Sequence, residues 1–198
     1  MNSEMSNEMK IIYKDYLQTE NGKKSLFHAC RLRKEALTAL KRGADFNNTA
    51  RVKMNMLGKE INSRTQLVSI TPIGLNSVCH ENAKLFSEKC GFERKLGWNV
   101  TACRCGRRMG FELHSLNKKD GVLYDFTKDM CDETEKYFVE LDTNVRVDSY
   151  KNMLGCPDVF FINKNCKCSF SQTTKPLEMS EEKLLDMIDM LENVRIYC

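Results

Sequence analysis

After Gly91 the chain changes texture, and that change most restricts what it can fold into. Five short runs follow, KLGWNVTAC, GFELHSL, GVLYDFT, KYFVEL and DVFFIN, each rich in aromatic and branched residues and bounded by turn-forming ones. NKKDG, between the second and third, ends in Asp-Gly, a dipeptide suited to a tight hairpin. Upstream the apolar period is helical. MKIIYKDYLQ predicts a short helix stopped at Gly22, and from 25 to about 42 Leu26, Ala29, Cys30, Ala36, Leu37 and Leu40 fall near one face, with Gly43 as the stop. His28 reads as helix packing. The stretch RVKMNMLGKEINSRTQLVSITPIGL reads as a connection with little regular structure. A further helix starts at Asn76 or Ser77, both good caps, and ends at Gly91; SEEKLLDMIDMLENV forms a last one behind a Ser180 cap. Helices, then strands, then a helix is an α+β order. The expected architecture is N-terminal helices packed on an antiparallel β-sheet with a C-terminal helix. Residues 1–60 form the helical segment and 61–198 the core, one compact domain in all.

A chain of 198 residues, 41% hydrophobic and 29% charged, can bury a core without staples. Its net charge of +4 is mild. The basic stretches RLRKEALTALKR and RCGRRMG read first as a solvated helix face and a basic loop, and nucleic acid is not an expected partner. The longest apolar run, VFFI, is far short of a membrane span. The first residues, MNSEMSNEMK, lack the apolar region of a secretory signal. The expectation is a soluble, cytoplasmic chain. In that reducing compartment its ten cysteines are thiols, metal ligands or a nucleophile rather than disulfides.

One cysteine has company. Cys79, in NSVCHENAKLF, stands where a helix begins, and the positive end of a helix dipole favours thiolate over thiol. His114 lies in the run FELHSL and Asp125 in the next run, LYDFT, across the expected hairpin, where facing positions on neighbouring strands are within reach. A carboxylate that takes the proton on one ring nitrogen orients an imidazole to act on a thiol with the other. Taken singly, each residue also has a plain reading: Cys79 as a small core hydrophobe, His114 as a satisfied half-buried histidine. Asp125 is less ordinary, since Asp is depleted in strands.

VCHENA opening a helix, then ELHSL, then GVLYDFT resembles the Cys–His–Asp core of the transglutaminase-like branch of the papain-like superfamily, over 77–127. The resemblance implies a helix-borne nucleophile Cys79, a general base and acid His114 and an orienting carboxylate Asp125, with Thr127 two positions beyond as in that family. It implies a cysteine-dependent hydrolase (peptidase, isopeptidase or amidase) acting through a thioester on a protein or peptide substrate, without metal or cofactor. Acyl transfer on the same triad is the alternative. The chain departs from the pattern in lacking an obvious side-chain oxyanion donor; Gln66 and Asn76 are candidates beside the amide of Cys79. His80 reads as surface or capping and Trp98 as core. A rival reading takes the C-x-C pairs Cys103/Cys105 and Cys166/Cys168 as four zinc thiolates bracing a non-catalytic binding module.

Overall fold

A computed structural model describes residues 3–41, 51–129, 133–141, 159–167 and 177–193. In chain order the elements are α1 (Ser3–Gln18), α2 (Glu20–Lys41), a 3-10 turn (Met54–Met56), α3 (Lys59–Arg64), β1 (Thr65–Gly74), α4 (Cys79–Cys90), β2 (Glu93–Ala102), β3 (Arg108–Lys119), β4 (Val122–Thr127), β5 (Glu135–Glu140), β6 (Val159–Asn163) and α5 (Glu181–Asn193). The α+β class is as expected. The sheet is mixed rather than antiparallel. Its strand order is β2-β5-β1-β4-β3-β6, and an added β2–β3 pairing closes the ladders through five strands.

The departure comes from β1. Its sequence, TQLVSITPIG, lies within the stretch expected to be irregular, and it pairs in parallel with β4, placing Ile70 opposite Asp125 and Gly74 opposite Thr127. Pro72 cannot donate to a ladder, so it argues against a strand. Here it falls between those two paired positions, where the register shifts, and the strand survives around it. The β3–β4 hairpin is as read: Lys119 faces Val122, and Asp120 and Gly121 turn the chain with φ of 52° and 79°.

The chain forms two compact units that alternate along the sequence. The first takes in 1–43, 68–95 and 115–135. Its core gathers Met9 and Tyr13 of α1, Leu85 and Phe86 of α4, and Phe92 and Phe126. The Phe126 ring meets Phe86 edge-on at 5.0 Å and Phe92 at 5.2 Å. The second takes in 44–67, 96–114 and 136–198. There Phe111 stacks on Phe160 at 4.9 Å, set by their pairing in the antiparallel β3–β6 ladder. Trp98 is fully buried beside them, as expected of a core residue. The α5 cap is also as expected, with Lys183 N–H donating to Ser180 Oγ at 3.1 Å, and Leu184 and Ile188 are fully buried.

The N-terminal helices break three residues before the glycine chosen from sequence. Thr19 ends α1 by donating its hydroxyl to the Tyr16 carbonyl at 2.7 Å, and caps α2 by accepting the Gly22 amide at 3.1 Å. The buried side of α2 runs through Gly22, Ser25 and Ala29, so Leu26, Leu37 and His28 are exposed rather than packed. The Leu40 side chain and Gly43 lie outside the described residues.

Gly22 is needed for space. A Cβ there would overlap the Tyr16 carbonyl, and a backbone oxygen cannot swing aside. Gly22→Ala therefore sets a helix-propensity gain of about 1 kcal/mol against an overpacking cost of about 1–3 kcal/mol. The clash with backbone decides it: the expected outcome is net destabilisation, read as a lower urea midpoint with unchanged slope.

Candidate active site

Cys79 is the first residue of α4 and is half-buried. The turn ahead of it is unusual. Ser77 takes the left-handed conformation at φ 62°, which non-glycine residues seldom adopt. Val78 rather than Asn76 or Ser77 then occupies the N-cap, at φ −132° and ψ 41°, with no side-chain hydrogen bond to the first turn. The sequence-based choice of cap is corrected accordingly. The first bond of the helix runs from the Asn82 N–H to the Val78 carbonyl at 2.9 Å. At the other end Gly91 closes the helix in the left-handed conformation, as its place after KC suggested.

The first turn of α4 is tied to two strands. His80 Nδ1 and Ser115 Oγ are 2.7 Å apart, so the residue after Cys79 meets the residue after His114. Asn82, 1% exposed, uses its whole amide: Oδ1 accepts from Tyr13 Oη at 2.8 Å, while Nδ2 donates to the Leu75 carbonyl at 2.8 Å and to Thr127 Oγ1 at 3.1 Å. Tyr13 Oη in turn accepts the Leu75 amide at 2.8 Å. Gly74 makes room for this cluster, since a Cβ there would run into the Asn82 amide. At the next residue, Asn117 Nδ2 donates to the Ala83 carbonyl at 3.0 Å.

His114 and Asp125 are buried in their strands, at 4% and 1% exposure. Asp125 Oδ1 accepts the Thr127 amide at 2.8 Å. Along β4 Asp125 alternates with Tyr124 and Phe126, whose rings join the α1–α4 cluster; along β3 His114 alternates with Ser115 and Asn117, which bond to α4. By the same alternation the side chains of His114 and Asp125 lie on the opposite face of the β3–β4 hairpin from Ser115, Asn117, Tyr124 and Phe126. The oxyanion candidates are otherwise engaged. Asn76 Nδ2 donates to Ser77 Oγ at 3.2 Å and to the Ala29 carbonyl at 3.5 Å, and Gln66 Nε2 donates to Glu140 at 3.3 Å.

Sequence reasoning passed over Ser115, Asn82 and Tyr13. Asn82 did leave a signal: it stands four residues after Val78 and four before Phe86, a polar residue on an apolar helix stripe. His80, read as surface or capping, is instead half-buried against Ser115.

A second group of thiols lies in the other unit. Cys103, Cys105 and Cys166 bring their sulfurs within 3.3–3.4 Å of one another. Cys103 is buried, Cys166 half-buried and Cys105 exposed. Cys168 of the second C-x-C pair, and Cys131 and Cys156, lie outside the described residues. No family model, curated protein or solved structure matches the chain. No described helix is long and apolar enough to cross a membrane.

Burial raises the pKa of the Tyr13 hydroxyl to about 12, the Leu75 amide pulling the other way. Its proton is thus held more tightly in the folded chain than in the unfolded one, where the value is 10.0. Stability from this group is present below pH 10 and lost as pH climbs through the raised value. Tyr13→Phe is expected to destabilise by about 1–3 kcal/mol at neutral pH, since it leaves the Leu75 amide and Asn82 Oδ1 unpaired. It is also expected to flatten the decline of stability on the alkaline side. Urea titrations of both chains across pH 7 to 11 would check the two effects separately.

Proposed function

We propose that the chain is a cysteine-dependent hydrolase with a papain-like or transglutaminase-like core, in which Cys79, His114 and Asp125 form the triad. The observation that carries this reading is the tethering of the first turn of α4. His80 bonds to the neighbour of His114, and Asn82 bonds to Thr127, whose own amide is held by Asp125. The helix that begins with Cys79 is thereby tied to the β3–β4 hairpin at Ser115 and Thr127.

In this mechanism His114 takes the Cys79 proton and the sulfur attacks an amide or isopeptide carbonyl carbon. The tetrahedral oxyanion is met by N–H groups at the start of α4. His114 then returns the proton to the departing amine, leaving a thioester that water hydrolyses with the same imidazole as base. Asp125 holds the ring in the tautomer this requires. The substrate class is a protein or peptide. An amine in place of water makes the same site an acyltransferase. The three-thiol cluster favours a second reading, a metal-braced binding module of this fold without catalysis.

Limiting iodoacetamide, with modified cysteines mapped by mass spectrometry across pH, separates these readings. Cys79 is expected to react first, ahead of Cys30, which is exposed on α2. Cys90 is expected to lag, because burial and then the negative charge of Glu8 raise its pKa. In His114→Ala the advantage of Cys79 disappears. With an acyl substrate in hand, that variant should lose about 100- to 10,000-fold in turnover. A Cys79 no faster than Cys30, or unmoved by His114→Ala, would sink the triad in favour of the binding module.

A further inference from the structure

We propose that Cys103, Cys105 and Cys166 bind a zinc ion as thiolates, in a structural site that ties the β2–β3 connection to the segment following β6. Cys79 has no part in it, so it stands or falls apart from the catalytic reading.

The first argument is distance. With Zn–S bonds of about 2.3 Å, the corners of a tetrahedral site lie about 3.8 Å apart. The three sulfurs are mutually 3.3–3.4 Å apart, so small side-chain rotations open them to that triangle. The same distances are far from the ~2.05 Å of a disulfide. A Cys103–Cys105 bridge would span a single residue, and a Cys103–Cys166 bridge would leave Cys105 pressed on the bond.

The second argument is that the backbone holds the thiols there. Cys103 N–H donates to the Arg108 carbonyl at 3.0 Å, and Gly106 N–H donates back to the Cys103 carbonyl at 2.9 Å, at a left-handed φ of 71°. This makes a tight turn that carries Cys103 and Cys105 on its rim. On the other side Asn163 Oδ1 accepts the Cys166 amide at 2.8 Å, and Asn165 takes the left-handed conformation at φ 58°. The β3–β6 ladder joins the two turns, with Arg108 opposite Asn163, and Lys164 N–H extends it by donating to the Arg107 carbonyl at 2.8 Å. Register, rather than flexible side chains, sets the sulfurs side by side.

The third argument is chemical. Soft thiolates select zinc, copper(I) or iron–sulfur clusters, and zinc alone of these needs no redox partner to hold a tetrahedral structural site. On binding, three S–H bonds give up their protons to solvent and three Zn–S bonds form, and with a water molecule in the fourth tetrahedral position the site carries one net negative charge. Arg104, Arg107 and Lys167 stand in the same two turns, where positive charge favours such an anion, while Lys164 pairs with Glu181 at 2.6 Å.

The test uses the full chain, purified with reductant and without chelator, and measures zinc by mass spectrometry of the metal. About one zinc per chain is expected. Cys103→Ser, Cys105→Ser and Cys166→Ser should each lose it, while Cys30→Ser retains it. Because the serine variants can fail to fold, the unmutated chain is also loaded with cobalt(II), where tetrahedral thiolate binding gives visible ligand-field bands and sulfur-to-metal charge transfer. Zinc far below one per chain with no such bands would overturn the proposal. So would an intact mass lighter by two hydrogens, with a disulfide mapped among the three cysteines.

Discussion

A single buried amide organises the first unit. Asn82 reaches α1 through Tyr13, the end of β1 through Leu75 and the end of β4 through Thr127. A buried primary amide stabilises only when its donors and acceptor are met, and each missing bond costs about as much as a typical hydrogen bond gains. Here the partners come from three elements far apart in sequence, so the cluster works as a register pin. Apolar packing of Phe86, Phe92 and Phe126 supplies the greater attraction, but rings tolerate sliding in a way that three directional bonds do not. The pin lies on the turn that begins with Cys79. Whatever fixes the fold of this unit therefore also fixes the sulfur.

Elements whose own pattern determines them were legible. The runs after Gly91 became strands, the Asp-Gly hairpin turned where expected, and α5 began behind Ser180. The strand β1 was not, because Pro72 inside TQLVSITPIG is a local signal against pairing. What overrides it is non-local: a parallel partner, β4, more than fifty residues on, and a shift of register that accommodates the ring. Missing β1 also hid the mixed character of the sheet, since β1–β4 is its parallel ladder. The face of α2 was misjudged for a related reason. Its apolar residues suggested one side, but the close approach at Gly22 and the burial of Ser25 and Ala29 select another. Small residues mark where helices can touch, and hydrophobicity alone does not weigh them.

For the site, the three chemical residue types and their elements could be read from the sequence, whereas their supports could not. Cys79 opens a helix and His114 and Asp125 lie in adjacent strands, as the motifs suggested. Ser115, by contrast, is an ordinary strand serine in sequence and becomes informative only once His80 is found against it. A hydrogen bond between residues 35 apart leaves no periodic trace. The same holds for the thiol cluster: C-x-C spacing hinted at Cys103 and Cys105, but only the β3–β6 register brings Cys166 to them.

Ten cysteines in one chain are not ten equivalent thiols. The environments of the described thiols differ. Cys90 is held protonated by burial and by Glu8. Cys103, Cys105 and Cys166 face one another, where a shared soft cation would remove all three from nucleophilic competition. Cys30 is exposed on the surface of α2. Cys79 alone combines partial exposure, a helix start without a side-chain cap and a rigidly pinned backbone. Selectivity among identical side chains thus comes from where each is placed. The turn that begins α4 and the two turns that gather Cys103, Cys105 and Cys166 thus give one residue type different burial, neighbouring charge and geometry.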